Sequence, residues 1–233
     1  MESERLDQES QTLLRRIVER LAYRQLMAAN IRGHGLKLVP EVEDKILLAQ
    51  DLEHSLRVLR DVERLYTAVG GSGLSLAVRG QMERIPYPTS RLELAVCLSL
   101  CDRVERVVAE GYVGSASKSL AAIARSLLEM DRTSTKRGEE LLVEFCKEPG
   151  NRPAAQQMFN RWLTITLLAL GRPGTQGDKR SIALKLRTKH CADSVREHVE
   201  GLKDLMTACH LQLPSPATLG VELPADVAAH ATR

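Results

Sequence analysis

The 233-residue sequence predicts an all-α protein built as a bundle of long helices, and three observations carry that expectation. Apolar residues recur at spacings of three and four over most of the chain, which is the helical rather than the strand period. Leu, Ala, Arg and Glu are abundant and aromatic residues make up only 3%, a composition that favours helix. At 43% hydrophobic and 27% charged residues, the chain has the balance of a globular domain long enough to bury a sizeable core. Residues 1–210 are expected to form that domain. Residues 211–233 carry three prolines and no periodicity, and read as an extended, weakly structured tail.

The first helix is expected over residues 9–32, with Leu14, Ile17, Val18, Leu21, Ala22, Ala28 and Ala29 on one arc and Arg15, Arg16, Glu19, Arg20 and Arg24 on the other. Gln25 lies within the apolar arc, where an amide needs partners. The run Arg32-Gly33-His34-Gly35 reads as the helix end. A second helix over 41–69 places Leu47, Asp51, His54, Val58, Val62 and Leu65 on one stripe, so a carboxylate and an imidazole three residues apart are expected to face inward. Gly70-Gly71-Ser72-Gly73 ends it. From there to Ser90, Gly, Pro and Ser punctuation predicts a long connection with one short helix, a crossover of the kind found in ferritin-like bundles.

Residues 90–110 form the third helix, apolar over more than half its circumference and expected to be the most buried. Asp102 and Glu105 fall at or within its apolar arc, and the sequence leaves open which of them faces the interior. A single fourth helix is expected over 116–147, with Asp131 and Ser134 near the centre of its stripe and Gly138 allowing a neighbour to approach closely. Its outer face, including Arg132, reads as solvated. A fifth helix from Pro153 to Leu170 is the expected lid of the bundle, followed by short helices over 181–188 and 192–209.

Charge and cysteine content exclude several functions. The 33 basic and 30 acidic residues are interspersed, which leaves no nucleic-acid footprint. The stretch from Lys179 to His190 holds five Lys or Arg, to be read as a solvated helix face or as a site for an anionic group such as a coenzyme A phosphate. Five cysteines in mostly apolar surroundings, with no signal peptide, predict a reduced cytoplasmic protein. Cys97 and Cys101 stand four apart and read as small buried thiols rather than a metal pair. No run is long and apolar enough for a membrane span.

Each of the first four helices thus carries a polar residue at its apolar centre: Gln25, Asp51 with His54, Asp102 or Glu105, and Asp131 with Ser134. Bundles that hold two irons use a Glu from each of two helices and Glu-x-x-His from each of the other two. Here Gln25 and Ser134 are degenerate positions, an amide and a hydroxyl where a carboxylate and an imidazole belong. Too few donors remain to neutralise a pair of irons. Asp51, His54, Asp131 and one of Asp102 or Glu105 form a candidate site for a single divalent ion, and a metal-free hydrogen-bonded core is the alternative.

The chain resembles the phenylacetic acid catabolic protein family, the ferritin-like subunits of phenylacetyl-CoA monooxygenase, and within it the catalytic α subunit. The resemblance runs from about Thr12 to Pro216. It rests on Thr12-Leu13-Leu14-Arg15-Arg16-Ile17, Lys45-Ile46-Leu47-Leu48-Ala49, Gly138-Glu139-Glu140-Leu141-Leu142, Asn160-Arg161-Trp162, Leu168-Ala169-Leu170-Gly171-Arg172-Pro173 and Leu211-Gln212-Leu213-Pro214. It implies a ferritin-like four-helix bundle with additional C-terminal helices. In the family such bundles hold a di-iron centre that epoxidises the ring of an aryl-CoA, beside a metal-free subunit of the same fold. Carried over singly, the first glutamate falls on Gln25, and one Glu-x-x-His falls on Asp131-x-x-Ser134. The other falls on His54-x-x-Arg57, or on Asp51-x-x-His54 after a three-residue shift, and the helix-three acid lands near Cys101 and Asp102. The expectation is therefore a homologue without a resident cofactor, working through a related helical subunit in a homo- or hetero-oligomer or through an acyl-CoA-type ligand. The alternative is an iron-dependent oxygenase or oxidase with a remodelled site.

Overall fold

A computed structural model describes residues 7–83, 86–130 and 132–231. Among them the regular structure is helical, with no strand: α1 (Gln8–Gly35), α2 (Val42–Ala68), α3 (Leu74–Met82), α4 (Arg91–Glu110), α5 (Lys118–Leu128), α6 (Thr133–Cys146), α7 (Arg152–Leu170), α8 (Gln176–Ala183), α9 (Cys191–Glu200), α10 (Lys203–Cys209), α11 (Pro216–Leu219) and α12 (Ala225–Ala228). None of these helices is long and apolar enough to cross a membrane. The all-α bundle expected from periodicity is what the chain forms.

Helices α1 and α2 pack along each other, and α4 packs against α5, α6 and α7, with α1 meeting α4 and α2 meeting α5 and α6 to close the bundle. α4 sits at the centre, with almost none of its circumference exposed: Leu94, Val96, Cys97, Leu98, Leu100, Val104 and Val108 are all buried. α7 covers it with the fully buried Phe159 and Trp162, and the indole Nε1 donates to Glu93 Oε1 at 3.2 Å. Gly138 lets α6 lie close on α4, since a Cβ there would stand 3.2 Å from Ala95 O. Among its described residues, the crossover from 70 to 90 carries α3 as its one helix.

Five sequence expectations are corrected. α1 does not stop at Arg32 but runs through Gly33 and His34 to Gly35, where Leu94 packs so closely that a Cβ would meet its Cδ2 at 2.9 Å. The fourth helix is two helices, with α5 ending at Leu128 and α6 starting at Thr133. Arg132 holds that break: it turns inward instead of to solvent, donating to Asp102 O at 2.7 Å and to the Leu127 carbonyl freed by the helix end at 3.3 Å. The Thr133-Ser134-Thr135 hydroxyls suit a helix start better than a helix interior. α8 begins at Gln176, capped by Thr175, and ends before Lys185, whose φ of 53° no continuing helix accepts. Arg24, placed on the polar arc, is buried and donates to Ala169 O of α7 at 2.9 Å.

The terminal segment is short-helical where the sequence shows no periodicity. Leu211, Leu213, Leu219 and Val227 are buried, and α11 packs on α7.

Candidate functional site

The candidate site is the polar centre where α1, α2, α4 and α6 meet. On α2 the buried stripe is Leu48, Asp51, Ser55, Val58, Val62 and Leu65, a heptad-like run. The sequence reading had the stripe one residue off at two places. Ser55 rather than His54 faces the interior, and Leu48 rather than Leu47 is fully covered. Asp51 is buried as expected; His54 is half-buried on the flank.

The residue at the middle of this centre is Arg32, which is fully buried. Its Nη1 donates to Ser55 Oγ of α2 at 2.8 Å, and its Nη2 pairs with Asp102 Oδ1 of α4 and lies 3.9 Å from Met130 Sδ. The other oxygen of Asp102 accepts from Thr135 Oγ1 of α6 at 2.5 Å. The guanidinium on α1 thus bonds α2 and α4 directly and reaches α6 through Asp102. Burial by itself would lower the pKa of Arg32, but the surrounding carboxylates of Asp102, Glu105 and Asp51 outweigh it and hold the group above its ordinary value. The guanidinium is a permanent cation in a ring of acids.

The remaining interior groups attach to this core. Gln25 Nε2 donates to Glu105 Oε1, and Ser134 Oγ donates to Asp51 Oδ2. Ser55 Oγ donates to Asp51 O at 3.0 Å, which hands the α2 hydroxyl's proton on and leaves its lone pair for Arg32. Asp102 and Glu105 both face inward, at 2% and 5% exposure, which resolves the choice the sequence left open. Asp131 lies outside the described residues.

These side chains give a test of whether iron fits. Asp102 is engaged by Arg32 and Thr135, Asp51 by Ser134, and Glu105 by Gln25. Among the described residues no group of three or more His, Cys, Asp or Glu is placed to hold a metal ion. A divalent ion brought to the centre would also meet the fixed positive charge of Arg32 in a low-dielectric interior. As they stand, the described donors do not fit an iron pair. Two oxygens in the centre, Gln25 Oε1 and Glu105 Oε2, are buried with no hydrogen-bond partner among the described residues.

His54 opens instead on a separate cleft of ≈ 260 Å³, lined also by Gln50, Asp51, Glu53, Arg57, Glu129 and Ser134. Its Nε2 is buried there with no hydrogen-bond partner among the described residues. The two cysteines on α4 stand with their sulfurs 3.8 Å apart, and burial pushes the Cys97 thiol far above its usual range.

Sequence reasoning missed Arg32 because the following Gly-His-Gly looked like a helix end. The available signal was its place two turns after Gln25, on the same face. It also missed a second buried cluster. Arg187 donates to Cys191 Sγ and Ser194 Oγ, each at 2.8 Å, while Asp178 Oδ1 accepts from the Cys191 backbone N–H at 3.0 Å and caps α9. Of the basic stretch read as solvated, Arg187 is therefore buried, Lys189 pairs with Glu110 and Glu197, and Arg180 pairs with Glu9. His198 is fully buried on α9, against Thr166 of α7. No known protein family and no curated protein matches this chain.

Proposed function

We propose that this chain is a structural, non-catalytic subunit with a ferritin-like bundle, related to the phenylacetic acid catabolic family, that works by assembling with a related helical subunit. The observation that supports the reading is Arg32. A side-chain cation stands among the carboxylates that a metal would otherwise neutralise, and it links the four helices that a metal centre would link. Fixed charge on a side chain removes any dependence of folding on metal supply. An acyl-CoA ligand fits the surface less well than the sequence allowed, since Arg180, Arg187 and Lys189 are already paired and Lys179 and Lys185 alone of that stretch stand exposed without an ion-pair partner among the described residues.

A second reading keeps an enzyme in view because His54 offers an unpaired Nε2 beside Asp51 on an open cleft. Anaerobic loading with ferrous ion, followed by desalting and metal analysis, separates the two. The structural reading expects iron far below one per chain and unfolding unaffected by chelator. One or more irons per chain, lost in His54→Ala and Asp51→Ala variants that remain folded, would favour the enzyme instead.

A further inference from the structure

We propose that the cleft bounded by the start of α2, the first turns of α4 and the length of α6 from Ser134 to Glu144 binds a small organic cation carrying an apolar tail. The cleft encloses ≈ 640 Å³, within the range of ~300–1,000 Å³ usual for ligand pockets. Its floor is apolar, made by Val39, Leu47, Leu48, Leu94, Leu98 and Leu141. Its rim is acidic, with Glu41, Glu43, Asp44, Glu140 and Glu144 set against Arg91 and Arg137.

The pairing along the rim decides the sign of the ligand. Arg91 donates to Glu41 Oε1 at 2.9 Å and to Asp44 Oδ2 at 3.1 Å, and Arg137 pairs with the other oxygen of Asp44. Glu144 pairs with Lys147. Glu43 and Glu140 have no cationic partner among the described residues. An anionic head group would have to draw an arginine away from Asp44 or Glu41, whereas an ammonium meets carboxylates that are already free. The exposed rim charges are screened by water, so the buried tail supplies most of the affinity and the rim supplies the selectivity.

The cleft is closed on its inner side by Ser134, whose hydroxyl is turned to Asp51. It thus adjoins the Asp51 edge of the buried network without being lined by Arg32, Asp102 or Glu105, and octylammonium binding and iron content are read by separate measurements.

Titration calorimetry with n-octylammonium and with octanoate tests the assignment, because the two share a tail and differ in the sign of the head. The expected result is one octylammonium per chain, bound about tenfold or more tighter than octanoate, a difference of about 1.4 kcal/mol or more. The surface double variant Glu43→Lys/Glu140→Lys should reverse the preference. Leu47→Trp, at a half-exposed position on the floor, should weaken octylammonium by a similar factor while leaving the helical circular dichroism intact. Octanoate binding as tightly as octylammonium, no binding of either, or octylammonium binding unchanged by Leu47→Trp would each overturn the proposal. So would selective binding of a basic amphipathic peptide in place of both amphiphiles.

Discussion

Two of the buried arginines, Arg32 and Arg187, solve the same problem in opposite ways. Arg32 is surrounded by Asp102, Glu105 and Asp51 and reaches partners 23 and 70 residues away, on α2 and α4. Arg187 bonds a thiol and a hydroxyl 4 and 7 residues away, and its nearest carboxylate, Asp178, stands 3.8 Å off with its oxygens already serving Cys191 and His190. The first network is long-range and charge-dense, so it specifies how four helices assemble. The second is local and mostly neutral, so it shapes one turn and the start of one helix. A buried cation held by distant acids is a site in the making; one held by neighbouring neutral groups is a cap.

The largest effect should come from Arg32→Met, which removes the cation and leaves its carboxylates facing one another without water. Breaking a buried pair from one side costs about 3–5 kcal/mol, to be read from the urea midpoint of unfolding. Adding Asp102→Leu should recover a large part of that loss, because the stranded charge goes with it. If the single variant unfolds at the wild-type midpoint, Arg32 is not the tie between the helices.

A second large effect is tied to pH and lies at the C-terminal side of the molecule. Thr166 Oγ1 donates to Leu163 O, so the His198 ring must donate from Nε2 to that hydroxyl, and Nδ1 is left a buried acceptor with no hydrogen-bond partner among the described residues. Burial, helped by the nearby Arg103 charge, pushes the His198 pKa down from 6.5 to about 3. The unfolded chain therefore takes up this proton before the folded one does. The contribution is complete above pH 6.5 and is lost as pH falls toward 3, reaching about 3 kcal/mol by pH 4.5. Urea midpoints measured across that range should fall for the wild type and fall less for His198→Gln. Parallel curves for the two proteins would show that His198 is not the titrating group.

How much of this was legible depends on range. Period and composition gave the helices and the buried face of α4, because those are local properties of the chain. Asp51, Asp102, Glu105 and Gln25 were found in the interior for the same reason: each interrupts an apolar stripe. Two positions of the α2 stripe were misread by one residue because Leu47 and Leu48, like His54 and Ser55, are adjacent, and packing against α1 selects between them. The break between α5 and α6 is held by Arg132 reaching carbonyls on α4 and α5, tertiary bonds that no local pattern encodes. Arg32 and Arg187 were hidden because arginine is ordinarily a surface residue, and what buries these two is the arrangement of partners that the fold brings to them.

The smallest effect sharpens the contrast between the two arginines. Arg187→Met removes the donors to Cys191 and Ser194, yet Ser194 Oγ still donates to His190 O at 3.3 Å, and a thiol is a weak acceptor that loses little when unpaired. Asp178 keeps the Cys191 backbone N–H and His190, and these bonds hold its carboxyl below the usual range despite the opposing push of burial. Asp178 loses its ion pair with Arg187 but keeps these two hydrogen bonds, so the loss should be about 1–2 kcal/mol, again from urea unfolding, with iron uptake and octylammonium binding unchanged. A loss as large as that of Arg32→Met would mean that the Asp178 ion pair, rather than the neutral bonds, carries Arg187. The division between an assembling network and a capping one would then fall.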